Sequence, residues 1–271
     1  MVFQRETCPV TPLPVALPSS LHCRIDDAVA VLRLARPQKR NAIDDEMVAG
    51  IGACFAALPA DVRAVVLHGE GEHFCAGLDL SSVTENDATA GVFHSRAWHR
   101  AFDLIENGSV PVIAVLHGAV IGGGLELAAA CHIRIAEPTT YYALPEGQRG
   151  LFVGGGGSVR VPRLIGTARM LDIMLTGRTY GAQEGVAAGF SQYLVDAGTG
   201  LHRAMAMARH VATLAPLSVF GVLHALPRIA EADPRTGLLM ESLMAAIAAG
   251  DREAKERLRA FLEKRAGKVV R

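Results

Sequence analysis

The chain has 271 residues, room for one large domain or two small ones and too many for a disulfide-stapled miniprotein. Half of it is hydrophobic and 20% is charged, which excludes disorder over most of the length, and 27 basic against 27 acidic residues leave no net field for nucleic acid or an anionic membrane. Aromatic residues make up 5%, with Trp98 the single tryptophan, too few for a platform that stacks single-stranded bases.

Residues 1–20 lack a basic start followed by an apolar run, and Pro9, Pro12, Pro14 and Pro18 break any signal or membrane helix, so they read as an extended arm. Residues 21–34 read as two short strands around the turn at Asp26-Asp27. Asp44 is placed to N-cap a helix over 46–58, with Met47, Ile51, Phe55 and Leu58 at spacings of three and four. A buried strand follows at 64–68, then a polar stretch from Leu80 to Ala90, a helix over 91–106 and a strand over 111–118. The run Gly122-Gly123-Gly124 opens a short helix, 132–137 is another strand, and 190–195 is the last strand candidate. This alternation predicts an α/β layered core, followed by four helices over 201–215, 216–229, 235–249 and 252–264. The expected divisions are an arm at 1–20, a core at 21–198 and a helical region at 199–271.

Cys8, Cys23, Cys54, Cys75 and Cys131 are scattered without CxxC spacing, which argues against both a disulfide framework and a zinc site. No apolar run approaches the roughly 20 residues a membrane span needs, so the expectation is a soluble, cytoplasmic protein. The signatures GxSxG, GxxxxGK[ST] and HExxH are absent, and neither glycine cluster completes GxGxxG.

What remains is a strand ending at Gly118, a loop, and three glycines opening a helix with Glu126 in its first turn. Glycines there leave backbone N–H groups unshielded, and the helix dipole adds partial positive charge, so an oxyanion can be held. A second donor is sought in the loop Phe74-Cys75-Ala76-Gly77-Leu78-Asp79. Taken singly, a glycine run is more often a tight turn, and an arbitrary glutamate more often a solvated charge. Glu126 and Glu146, however, both sit in apolar sequence.

Several blocks, in order, carry a resemblance: Arg36 to Ala42, Phe74 to Leu80, Pro111 to Ala136, the pair Pro145-Glu146, and the tail Phe261-Leu262-Glu263-Lys264-Arg265. From about residue 21 to the C-terminus the chain resembles the enoyl-CoA hydratase/isomerase (crotonase) family. The resemblance implies a spiral of ββα units with a helical C-terminal trimerisation region, assembled as a homotrimer or a dimer of trimers. It implies that the backbone N–H groups of Ala76 and Gly123 hold an acyl-CoA carbonyl. Glu126 then deprotonates a water, and Glu146 supplies a proton to Cα. Lys39, Arg40, Ala76, Gly77, Leu78, Asp79, Phe261 and Lys264 are expected to contact CoA, which enters as part of the substrate, with no metal, flavin or nicotinamide.

The activity this implies is hydration of a 2,3-enoyl-CoA. Double-bond isomerisation, hydration with cleavage of an aromatic enoyl-CoA, and non-catalytic acyl-CoA binding are the alternatives. Arg149 departs from the apolar residues usual after the second glutamate, and either pairs with Glu146 or points to solvent.

Overall fold

The computed structural model describes residues 11–82 and 87–263. Strands β1 (Thr11–Pro12), β2 (Leu21–Asp26) and β3 (Val29–Leu34) form an antiparallel start, with Asp27 in the left-handed turn at φ 56°. Helix α1 (Asp45–Ala56) follows, N-capped by Asp44, whose Oδ1 accepts the Met47 N–H at 2.9 Å. The chain continues through β4 (Ala64–Gly69), α2 (Ala88–Glu106), β5 (Val112–Leu116), β6 (Ala119–Ile121), α3 (Gly123–Ala130), β7 (Ile133–Ala136) and β8 (Tyr141–Ala143). Then come α4 (Gly157–Ile165), α5 (Thr167–Thr176), β9 (Tyr180–Gly181), α6 (Ala182–Ala188), β10 (Tyr193–Leu194) and α7 (Gly200–Ala212).

The main sheet runs β1-β2-β3-β4-β5-β7-β10, parallel from β3 onward, and a small second sheet runs β6-β8-β9. Two spiral turns send one strand to each sheet and then a helix, β5-β6-α3 and β7-β8 followed by α4. The turn after β4 replaces its second strand by a single bridge, Cys75 to Val120. Period-two alternation divides the main sheet. Ala30, Leu32, Leu34, Val65, Leu67, Val112 and Ala114 face the larger core, whereas Val29, Val31, Val66, Ile113 and Val115 face Ala204, Met205 and Ala208 of α7.

That packing corrects the expected boundary at 198/199. The chain divides into compact units at 1–212 and 213–271, because α7 buries its apolar stripe on the sheet. The arm is also partly built in. Thr11–Pro12 pair with β2, and Leu13 and Leu17 pack on the core; residues 1–10 lie outside the described residues.

The second unit comprises α8 (Pro216–Phe220), α9 (Leu226–Glu231), α10 (Pro234–Gly250) and α11 (Arg252–Leu262). The single helix expected over 216–229 is interrupted by a π turn at Gly221–Ala225, where the Leu226 N–H donates to the Gly221 carbonyl. Pro227, which has no N–H to continue the α ladder, explains the slip in register.

Candidate active site

The site begins where the loop after β4 threads against β6. Cys75 exchanges backbone hydrogen bonds with Ala119 and Ile121, and Gly77 and Asp79 exchange them with Ile43, so residues 75–79 are tied on both sides. Gly77 turns the chain at φ 93°, and a β-carbon there would lie 2.7 Å from the Ile121 carbonyl. Only glycine fits.

This geometry corrects one expected donor. The Ala76 N–H is consumed by the Arg40 carbonyl at 2.9 Å and is not available to a ligand. After the turn at Gly77, the Leu78 N–H makes no hydrogen bond among the described residues. Neither does the Gly123 N–H, which heads α3 and has no helical acceptor upstream. The two nitrogens are close: a β-carbon on Gly77 would come within 3.3 Å of the Gly123 nitrogen, and one on Gly123 within 3.5 Å of the Leu78 nitrogen. The convergent pair is therefore Leu78 and Gly123. The positive φ implied by Ala-Gly-Leu was the signal for it, since a left-handed glycine reverses the next amide.

The segment before α1 holds this loop from below. Asp79 is buried and binds Arg36 and Lys39, each at 2.9 Å, while Lys39 also donates to Ser81 at 2.6 Å. Hydrogen bonds from Ser81 and Lys39 hold the Asp79 carboxyl far below the usual carboxylate range. Asp79 is not among the residues that line the cavity; its carboxylate anchors the loop. Lys39 lies in the same cluster, and Arg40 is exposed with φ 53°. Asn41, fully buried, accepts from the Arg36 N–H and donates to the Glu70 and His73 carbonyls.

Both glutamates line one cavity of about 530 Å³, together with Gly77, Leu78, Trp98, Gly122 and Gly123. Glu126 is 3% exposed, and its Oε1 accepts the Gly155 N–H at 2.8 Å and the Gly157 N–H at 2.7 Å. The second glycine cluster is thus a cradle for this carboxyl, a function the sequence left open. A β-carbon on Gly157 would lie 2.8 Å from Glu126 Oε1. Burial raises the Glu126 pKa, and the amides of Gly157 and Gly155 only partly offset it.

Glu146 starts a 3-10 turn after Pro145, with its Oε1 against Gly122, where a β-carbon would approach within 2.6 Å. Its buried Oε2 has no hydrogen-bond partner among the described residues. Burial, and next the charge of Glu126, push its pKa up to about 7. Arg149 lines the cavity but is exposed, and its charge is the smallest of the influences on Glu146.

The cavity is also lined by Leu80, by Gly91, His94 and Ser95 near the start of α2, and by Leu151 and Phe152. His73 and His132 each accept a backbone N–H, as packing histidines do. Cys75 is fully buried with its thiol pushed up to about 12 by desolvation, a filler rather than a nucleophile. Among the described residues no group of three His, Cys, Asp or Glu is arranged to hold a metal, and no single helix is long and apolar enough to cross a membrane. Phe261 is exposed on α11, and Lys264 lies outside the described residues.

A spiral of ββα turns with two amides unbonded among the described residues and two carboxyls, one buried and one half-buried, in the same cavity defines a crotonase-fold protein. The comparisons agree. A family model described as "Enoyl-CoA hydratase/isomerase" matches residues 24–269. The crystal structure of a Rhodopseudomonas palustris CGA009 protein, named only provisionally as an enoyl-CoA hydratase, is 59% identical with a TM-score of 0.91, covering 94% of this chain and 99% of that one. A Bacillus subtilis (strain 168) protein named "Probable enoyl-CoA hydratase" is 32% identical over 252 residues, 91% of this chain and 97% of its own. Pseudomonas aeruginosa DspI is 28% identical with a TM-score of 0.88, covering 95% and 99%. The chain belongs to the enoyl-CoA hydratase/isomerase family, whose members act on acyl-CoA substrates.

Proposed function

We propose that this protein is an enoyl-CoA hydratase. The observation that carries the reading is the pairing of two amides unengaged among the described residues, Leu78 and Gly123, with the buried Glu126 and half-buried Glu146 carboxyls in one cavity. A thioester enolate is too unstable to form unaided in water; each preorganised N–H aimed at its oxygen is worth roughly 3 kcal/mol of barrier. With that charge held, Glu126 takes a proton from water as the oxygen adds to Cβ. Glu146, whose pKa near 7 keeps its proton at hand, delivers it to Cα. The cradle of Gly155 and Gly157 favours this division, because a carboxyl fixed at one oxygen leaves the other to orient a water.

CoA enters as part of the substrate, and the reaction has no redox step to require another group. Lys39 acts by ordering residues 76–79, whereas Arg40 and Phe261 are exposed positions suited to direct CoA contact. We also propose assembly as a homotrimer or pair of trimers through the second unit, where Leu238, Leu239, Leu243 and Ile247 of α10 are exposed.

The test is product analysis with crotonyl-CoA, a 3-enoyl-CoA and a cinnamoyl-type CoA. Hydration of the first supports the reading. Turnover of only the second, by a proton shuttle through Glu146 alone, replaces it with double-bond isomerisation, and cleavage of the third with a hydratase-lyase. Binding of all three without turnover leaves a non-catalytic homologue.

A further inference from the structure

Glu126 is held by peptide groups, so whatever fixes those peptides fixes Glu126. The unit between Gly154 and Gly155 offers its N–H to Glu126 Oε1 at 2.8 Å, and its carbonyl, at the opposite end of the same plane, accepts the Ser95 hydroxyl at 2.6 Å. The next unit turns the Gly155 carbonyl to Arg160 Nη1 at 3.0 Å. The third unit donates the Gly157 N–H to Glu126 at 2.7 Å, and its Gly156 carbonyl accepts from Val159 and Arg160 in the first turn of α4. Arg160 is itself buried and locked by Glu106 Oε2 at 2.6 Å, at the last residue of α2. Ser95 and Glu106 therefore grip the glycine loop from two points on one helix. Glycine restricts its own backbone least of all residues, so the orientation of these peptides depends on such pins.

We propose that Ser95 and Arg160 are positioning residues for Glu126, acting through the Gly154–Gly157 peptides, so that α2 sets the aim and basicity of the carboxyl that handles water. The role of Glu126 rests on the hydratase reading; the coupling itself does not. Ser95 spends its proton on the Gly154 carbonyl, with His99 Nε2 3.3 Å from its oxygen, so its place in the cavity wall is not that of a nucleophile. The ionisable groups around Glu126 are Arg160 on α4, His99 and Glu106 on α2, and Glu146 with Arg149 on the 3-10 turn. Of these, His99 has its pKa lowered, chiefly by burial.

The experiment titrates the Glu126 carboxyl by infrared difference spectroscopy, with E126Q identifying its band, in the wild type, S95A, S95T and R160M. Slackened amides stabilise the anion less, so S95A should raise the protonation midpoint by roughly half to one pH unit, and R160M, which also removes a cation, by more. S95T, retaining the hydroxyl, should return it to the wild-type value. In parallel, S95A should lower kcat about tenfold with KM within about twofold and shift the acidic limb of the kcat profile upward by the same amount. An unchanged midpoint in folded S95A, checked by circular dichroism, overturns the proposal, as does a loss of activity that S95T fails to restore. If the wild type turns over no enoyl-CoA, the hydratase reading falls while the infrared titration still decides this one.

Discussion

Glu146 keeps its proton to about pH 7 because it is desolvated, its Oε2 having no hydrogen-bond partner among the described residues, and Glu126 is nearby, and this has two measurable consequences. For catalysis, the protonated form is the acid, so kcat/KM for hydration should fall as pH rises through about 7, and E146Q should remove that limb together with a factor of about 10² to 10⁴ in kcat. For stability, the folded pKa lies above the unfolded value of 4.5, so the folded state binds more protons between 4.5 and about 7. The stability difference is then full below pH 4.5 and lost as pH rises to about 7. E146Q, neutral throughout, should therefore have a higher thermal midpoint than the wild type at pH 8 and match it at pH 4. E126Q should also lower kcat by about 10² or more while largely sparing acyl-CoA binding, measured by calorimetry.

At the scale of elements, the active groups are placed by contacts that tolerate no β-carbon. A methyl on Gly155 would meet Trp98 at 3.0 Å and Glu126 at 3.1 Å, so G155A should keep the fold but displace the carboxyl, lowering kcat by about tenfold or more with little change in KM. The loop that bears Leu78 depends on the ion cluster beneath it. D79N weakens the bonds to Arg36 and Lys39, and hydrogen exchange of the amides from 74 to 81 should quicken several-fold while β4 and β5 stay protected. Equal quickening throughout the core would mean Asp79 supports the whole sheet and not this loop.

For the molecule as a whole, the two compact units differ in what they bury. The unit over 1–212 surrounds a sheet with apolar side chains on both faces, whereas the helices of 213–271 leave Leu238, Leu239, Leu243, Ile247, Leu258 and Leu262 exposed. Exposed leucines at helical spacing call for a partner. With a chain mass of 28.6 kDa, light scattering should give about 86 kDa for the proposed trimer or twice that for a pair. Replacing Leu239 and Leu243 by Glu should shift the species toward monomer.

The sequence by itself determined the strands and helices around β2 to β5 and the capped start of α1, and it singled out both glutamates as candidates. These follow from periodicity, from one side-chain oxygen, and from acidic residues set in apolar surroundings. It did not determine which amide is free. Ala76, Gly77 and Leu78 are adjacent in the chain, and only the left-handed turn at Gly77, together with the Arg40 carbonyl brought from 36 residues away, decides that the Leu78 N–H and not that of Ala76 is left without a partner among the described residues. The purpose of the 154–157 glycines was equally hidden, since their acceptor, Glu126, lies some 30 residues earlier and is reached only when α3 packs on α4. Local patterns record what a segment prefers; which hydrogen-bonding group is left over depends on every partner that arrives from elsewhere, and that is settled only when the chain has closed.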